Sequence, residues 1–410
     1  MKFANENNIP FAVYGGGHSA DGSSSSDGGM VIDLRKLDNI EVDVINKTVS
    51  FGGGCRWSEV NDALWKEGLA TVGGTVSHTG VGGLILGGGF GALTGKHGYT
   101  IDLLVSVEVV LADGSVIIAS ETENSDLFWA MRGAGAAFGV ATKFTSRVFP
   151  QGNVWGGMLI YPLTELPTII DACNEFIETT DGGQLVNLLL GFSPPPSELP
   201  VVILVVFHDG DKETAMTHFS RFLDADPIMN MTSMMPYPQF NTLGDQMMGR
   251  GSRRMTGASN FVAPLQLKLV QDVADVFFKH ISENQDMKAS IVGFEFIPNR
   301  VVRSVPLDAM AMANRGNYYN AATVMTWQDE ARDNEVREFS RRLNQQIRNA
   351  GWKGDNTGGV GQYNNYIGDY DDISAEMAFG GNADRLIELK TKYDPENRFK
   401  KPWGLIPKKR

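Results

Sequence analysis

Cysteine is almost missing from this chain: Cys55 and Cys173 are the only two in 410 residues. That excludes a disulfide-stapled scaffold and a cysteine-rich metal centre. The six histidines fall in no H-E-x-x-H or comparable ligand spacing, so no metal site is expected. No apolar run reaches the roughly 18 residues a membrane-spanning helix needs. Positive charge is also short. The formal net charge is −12, and no basic stripe offsets it, which argues against a nucleic-acid partner. The terminal Lys408-Lys409-Arg410 is too brief to change that and reads as a solvated tail. The N-terminus lacks the basic-then-apolar pattern of a secretory signal. The sequons at Asn46 and Asn230 are no more than chance allows, so the compartment stays open.

Glycine is abundant, with 47 residues, and its clustering divides the chain. Residues 1–150 are glycine-dense and alternate short strands with helices. Met1 to Asn8 reads as the end of a helix feeding a strand at Phe11, as though the domain began upstream. Val31 to Leu34, Ile40 to Val44 and Thr48 to Phe51 read as strands, and a helix starts near Trp57. Asp113-Gly114, between Val105–Ala112 and Ser115–Ala119, predicts a hairpin. Ser125-Asp126 is expected to cap a helix that stops at Gly133.

From about 151 to 355 glycines thin out. The apolar run Val201–Phe207 predicts a strand buried on both faces. Helices are expected over Leu265–Asn284, with Leu269, Val273, Val276, Phe277 and His280 on one stripe, and over Asp329–Ala350. Ser290–Pro298 and Tyr318–Trp327 read as strands of a sheet with helices on one face and a pocket under the other. The Met pairs at 234–235 and 247–248 read as core or pocket lining. After Gly361 the glycine-rich texture returns, with a helix over Ala383–Lys392 and a turn at Asp394-Pro395-Glu396-Asn397, so this segment is expected to rejoin the first domain.

The most informative stretch is Tyr14-Gly15-Gly16-Gly17-His18-Ser19, directly after the Phe11-Ala12-Val13 strand end. Consecutive glycines let backbone N–H groups close around an anion, usually phosphate, and His18 adds a nucleophilic imidazole at the lip. Two more glycine-rich runs lie at 73–91 and 133–139. Neither is a standard nucleotide motif. His97 stands where a P-loop needs Ser or Thr, and the 133–139 run follows a helix rather than a strand.

In order along the chain stand G-G-G-H-S at 15–19, T-G-V-G-G at 79–83, G-G-G-F-G at 87–91 and R-G-A-G-A-A-F-G at 132–139. They are followed by N-R-G-N-Y-Y at 314–319, Y-N-N-Y at 363–366, G-N-A-D-R-L at 381–386 and Y-D-P-E-N-R-F at 393–399. This ordered set resembles the FAD-binding PCMH-type (vanillyl-alcohol oxidase-like) flavoproteins, in their berberine bridge enzyme-like branch. The resemblance implies an α+β fold of two domains. The FAD-binding domain would comprise residues 1–150 with a returning segment 361–410; the inserted substrate domain, residues 151–360, would carry a mixed or antiparallel sheet covered by helices.

It further implies FAD attached through His18. Gly15, Gly16, Gly17, Ser19, Gly74, Val76, Ser77, Thr79, Gly80, Gly82, Gly83, Gly87, Gly139, Val140, Tyr363 and Asn365 would surround it. Many relatives add a second link through a cysteine at the position of Val76, so a single link is expected; Cys55 reads instead as a small buried residue. Some relatives carry a histidine where this chain has Leu84, and the family has a strand-helix segment ahead of the position of Met1. In carbohydrate-oxidising relatives the tyrosine at the position of Tyr366 is a general base; its alternative is a packing role in a buried strand. Other members use a carboxylate at Glu295, whose alternative is a solvent-facing position. Arg315, Tyr318 and Tyr319 would orient substrate or fill the sheet, and His78 and His97 read as structural hydrogen-bonding residues. The implied activity is hydride removal from an alcohol, amine or activated C–H carbon of a small natural product, with O₂ reduced to H₂O₂. A carbohydrate oxidase and a truncated, non-catalytic paralogue are the alternatives.

Overall fold

The computed structural model describes residues 1–351, 358–368, 373–400 and 403–408. Lys409 and Arg410 of the basic tail lie outside them, while Lys408 reaches Glu388 at 3.6 Å.

The glycine-dense N-terminal region forms three sheets, the smallest pairing Leu69–Ala70 with Phe149–Pro150. Phe11–Tyr14 pairs in parallel with Met30–Asp33, and a short helix, Lys2–Glu6, precedes them. A five-stranded antiparallel sheet follows, in the order Ile40–Asp43, Thr48–Gly52, Val140–Arg147, Leu104–Val110, Val116–Ser120. Its last two strands are the expected hairpin. Asp113 accepts the Ser115 N–H at 2.8 Å, and Gly114 sits at φ +84, which a side chain would oppose. The helix Ser125–Ala134 packs beneath. Its N-cap is Asn124, not Ser125 or Asp126, and the Asp126 carboxylate instead holds Lys392 and Tyr393. The helix kinks at Arg132 and Gly133.

The core here takes Phe51, Trp57, Val107, Phe128 and Phe144 from the first 150 residues, and Phe379, Leu386 and Trp403 from the far end. Ala311 and Met312 also join it, through backbone bonds to Trp129 and Arg132. The returning segment is pinned by Lys390, whose fully buried ammonium meets Asp394 at 2.7 Å, Ala137 O at 2.7 Å and Phe399 O at 2.8 Å.

The middle of the chain forms one eight-stranded sheet, antiparallel at every pairing. Its central order is Val154–Pro162, Pro200–His208, Gln184–Phe192, Ile291–Phe296, Tyr319–Trp327, Arg253–Phe261. Three helices, Leu166–Thr179, Leu267–Glu283 and Asp333–Ala350, cover one face. The two-residue period of a strand sorts the side chains. Val186, Leu188, Leu190, Val292, Phe294 and Phe296 face the helices, whereas Asn187, Leu189, Ile291, Gly293 and Glu295 line a cavity on the other face. Val276 departs from the expected stripe; it is 44% exposed, while Val270, Val273, Phe277 and Ile281 are buried. Residues 364–366 form a 3-10 turn rather than a buried strand. A smaller cluster, Val72, Leu93 and Leu103 against Leu185, Phe207 and Phe240, joins the two cores.

Breaking a buried ion pair on one side strands the other charge, at a cost of about 3–5 kcal/mol. Asp394→Ala should therefore lower the urea midpoint of unfolding substantially; an unchanged midpoint would show that Lys390 does not hold the C-terminal segment.

Candidate active site

The cavity, of about 570 Å³, runs between the two cores. Its floor is built on glycine. A Cβ on Gly16 would lie 2.2 Å from the Gly80 nitrogen, and one on Gly80 would lie 2.3 Å from the Gly16 nitrogen. Only bare backbone allows the loops 15–19 and 74–83 to touch there. Gly83 opens onto free space, with nothing within 4 Å of its Cβ position. One end of the cavity is polar, lined by Ser19, Asp21, Ser23, Ser24, Ser25, Arg398 and Lys400. The other end is roofed by Leu185, Leu189, Val205, Ile291, Ala322 and Val324, with Phe240, Leu243, Met247 and Met248 at its side.

Gly15, Gly16, His18, Ser19, Gly74, Val76, Thr79, Gly80, Gly82, Gly83, Gly139, Val140, Tyr363, Asn365, Tyr366 and Glu295 all line this cavity. Gly17, Ser77 and Gly87 do not. Gly17 turns the loop at φ +69. Ser77 is tied by its N–H and hydroxyl to Asp245, at 2.8 and 2.6 Å. The missing Cβ of Gly87 admits the Asn365 carboxamide, whose Oδ1 would lie 2.0 Å from it.

Three segments distant in sequence meet at the roof. The Tyr366 hydroxyl donates to Glu295 Oε1 at 2.7 Å. Burial pushes the Glu295 carboxyl up to about 7, against the Tyr366 and Asn320 side chains, which favour its ionised form. The Tyr366 phenol is held well above its ordinary range by burial and by the Glu295 charge. Tyr366, expected as the base, here donates its hydroxyl hydrogen to the Glu295 carboxylate. Glu295 faces the cavity with its carboxylate enclosed, which departs from the solvent-facing alternative. Tyr363 accepts the Gly89 N–H at 3.0 Å and Asn365 Nδ2 at 2.8 Å, and Asn365 also reaches Leu84 O at 2.9 Å. These bonds hold the Asn365 amide at the cavity wall.

His18 stands at the lip. Its Nε2 lies 2.8 Å from Nδ1 of His78, and the rings stack with centroids 4.8 Å apart. Burial, then His78, Arg250 and Arg254, lower its pKa to about 4, so the imidazole is neutral at physiological pH and keeps a free lone pair. His78, read as a hydrogen-bonding residue, has His18 as its partner. His97 stacks on Phe149 at 3.8 Å. Arg315 is buried against Asp102 at 2.5 Å, away from the cavity wall.

Sequence reasoning overlooked Asn187, Asp245 and Arg250. Asn187, directly opposite Glu295 on the adjacent strand, was visible as a lone polar residue among leucines. Asp245 and Arg250 lie in an irregular loop with no signature; Arg250 reaches Gly16 O at 2.8 Å.

The glycine floor, polar end and apolar roof fit an elongated cofactor with phosphates at one end and a flat ring at the other. The FAD binding domain model matches residues 1–120, and the model for berberine and berberine-like proteins matches residues 363–405. The FAD-linked oxidoreductase pgmH of Aspergillus terreus is 34% identical, over 99% of this chain and 85% of the relative. Among solved structures, 6-hydroxy-D-nicotine oxidase of Arthrobacter nicotinovorans superposes with a TM-score of 0.81 at 25% identity, over 99% of this chain and 88% of that one. Xylooligosaccharide oxidase of Myceliophthora thermophila C1, solved with xylobiose, gives 0.84 at 23% identity, over 100% and 89%. With both halves of its cavity accounted for in this way, the chain belongs to the berberine bridge enzyme-like FAD-linked oxidoreductases of the PCMH-type, vanillyl-alcohol oxidase-like superfamily.

Proposed function

We propose that the protein oxidises a small, largely apolar natural product at an alcohol, amine or activated C–H carbon, with Glu295 as the base. The observation that carries this reading is the Tyr366–Glu295 pair on the cavity wall. FAD, when bound, supplies the hydride acceptor, and O₂, reduced to H₂O₂, is its proposed oxidant. Glu295 takes the substrate proton, while Tyr366 orients its carboxylate and stabilises the ionised form. A base works best when its pKa lies near the working pH, and about 7 meets that condition. His18 is the proposed single covalent anchor. Val76 offers no thiolate at the second position, and Gly15, Gly16, Thr79, Gly80, Gly82 and Gly83 would hold the cofactor along the floor.

The roof favours a natural product over a sugar. Each buried hydroxyl of a saccharide needs a hydrogen-bond partner, and leaving one unpaired costs about 1–3 kcal/mol. The described roof strands bring only Asn187, Thr256 and Glu295 as polar side chains to the cavity. The carbohydrate-oxidase reading has fold likeness behind it but little in this lining. The intact base pair also speaks against a non-catalytic paralogue.

Anaerobic stopped-flow bleaching of the flavin, with aromatic alcohols and amines set against mono- and oligosaccharides, tests this. The apolar set should reduce the flavin, and faster reduction by sugars would overturn the assignment. Glu295→Gln should slow reduction by about 10²–10⁴-fold. In the wild type the rate should rise with pH through about 7, because the carboxylate is the active form. Tyr366→Phe removes a bond that favours the carboxylate, so its profile should shift to higher pH. A flat profile together with an unimpaired Glu295→Gln would eliminate Glu295 as the base.

A further inference from the structure

We infer that the N-R-G-N-Y-Y motif at 314–319, together with Asn320, is a one-way chain of hydrogen-bond donors that orients the Glu295 carboxylate from outside the main cavity, a role that rests on Glu295 being the base. Asn320 and Asn314 are then positioning residues, and Tyr318 is the link that fixes them. Register brings the chain to its target. The pairing that sets Phe294 against Ala321 carries Glu295 and Asn320 side by side on adjacent strands. Glu295 lines two cavities. The larger is the one described above; the smaller, of about 30 Å³, adds Asn314, Tyr318 and Asn320 to its wall. It is too small for a substrate, and none of those three side chains lines the larger cavity.

The direction of the chain follows from its ends. A backbone N–H can only donate, and a carboxylate can only accept. The Gly361 N–H donates to the Tyr318 oxygen at 2.9 Å, so the one phenolic hydrogen is left for Asn314 Oδ1, at 2.7 Å. With its oxygen occupied, Asn314 turns its Nδ2 to Asn320 Oδ1 at 3.2 Å. Asn320 is thereby left with its own Nδ2 hydrogens for Glu295, whose ionised form it favours. Each amide is held in one of its two flips by the donor before it, and donors in series polarise one another.

The other residues of the motif hold this chain in place. Asn314 O accepts the Tyr99 hydroxyl at 2.8 Å. Arg315 is fixed by Asp102 and by Val302 O, each at 3.1 Å from Nη1. A Cβ on Gly316 would collide with the Tyr318 ring, and Asn317 Oδ1 accepts from Arg303 at 2.8 Å. The titratable groups that face Glu295 are Tyr366 and Tyr363, whose phenols burial holds above their ordinary range. The strand on its other side brings only the neutral Asn187, and Arg315 and Asp102 neutralise one another beside the Tyr99 ring. The carboxylate thus takes a hydroxyl donor from the C-terminal segment and an amide donor from this one. Loss of either favours its neutral form.

The test reads the carboxyl itself. Infrared difference spectra of the FAD-loaded holoenzyme are taken across pH, with Glu295→Gln subtracted as the blank, so that the Glu295 carboxyl band remains. In wild type that band should be lost as pH rises through about 7. Asn320→Leu removes a donor to the charged form, so the midpoint should move up by about one pH unit. Tyr318→Phe leaves Asn320 in place but frees the Asn314 amide to turn, and should move the midpoint in the same direction by less. The pH profile of flavin reduction, by a substrate from the panel above, should shift with it. Below pH 7 reduction in Asn320→Leu should be about tenfold slower. The substrate concentration for half-maximal rate should stay the same, because neither residue lines the larger cavity. An unmoved infrared midpoint in both variants would overturn the proposal, and so would a downward shift in either. If Asn320→Leu no longer holds FAD, Tyr318→Phe decides, since it loses a single oxygen. Shifted midpoints alongside a Glu295→Gln protein that reduces flavin at the wild-type rate would remove the base role and leave the donor chain standing.

Discussion

The contact between Gly16 and Gly80 is the constraint on which the rest of the site depends. Two loops from separate parts of the first domain meet backbone to backbone, at a separation that no side chain could share. This closeness draws the segment carrying His18 against the segment carrying His78, and it opens the floor at Gly83 to the cavity. It also explains why glycine is concentrated where it is. In a strand or helix interior glycine destabilises by roughly 0.5–1 kcal/mol relative to alanine, a cost that close approach makes worthwhile here. The substrate domain then reaches down onto these loops. Asp245 and Arg250 bond to Ser77 and Gly16, so the lip of the cavity belongs to both halves of the molecule.

Above the floor, the chemistry depends on the strand period. Residues 291–296 place Phe294 in the helix-covered core and Glu295 over the cavity, one step apart. A slip of one residue would invert that arrangement. The adjacent strand sets Asn187 directly opposite Glu295. The C-terminal segment then delivers Tyr366 to the same carboxylate from the other domain. The core that Phe379, Leu386 and Trp403 help to form, and the buried Lys390–Asp394 pair, hold the segment that carries Tyr366. The stability of the chain's end and the orientation of the Glu295 carboxylate are thus linked.

Burial decides which of the two groups accepts a proton. In water a carboxyl and a phenol differ by about six pKa units, and neither would titrate near neutrality. Enclosed together, the carboxyl rises to about 7 and the phenol rises too. The first is brought to titrate near neutrality and the second is not. Burial moves His18 in the opposite direction, disfavouring the protonated imidazole. One desolvated cavity thus favours the neutral form of both a carboxyl and an imidazole.

Local chemistry made part of this legible in advance. The Asp113-Gly114 hairpin, the glycine loops, the apolar Val201–Phe207 strand and the amphipathic helices all announce themselves through turn preference or periodicity, which act over a few residues. The ordered motifs were enough to identify the family and its cofactor. The antiparallel pairing throughout the larger sheet was not legible, because apolar alternation reads alike in either direction. Nor was the Tyr366–Glu295 pair. Tyr366 and Glu295 are 71 positions apart, and nothing local says that they share a proton-bearing contact or how deeply they are buried. His78 looked like any histidine in a loop until folding brought it 2.8 Å from His18. Residue identity supplied the reactive groups. Their pKa values and partners arise only when the chain closes and removes them from water.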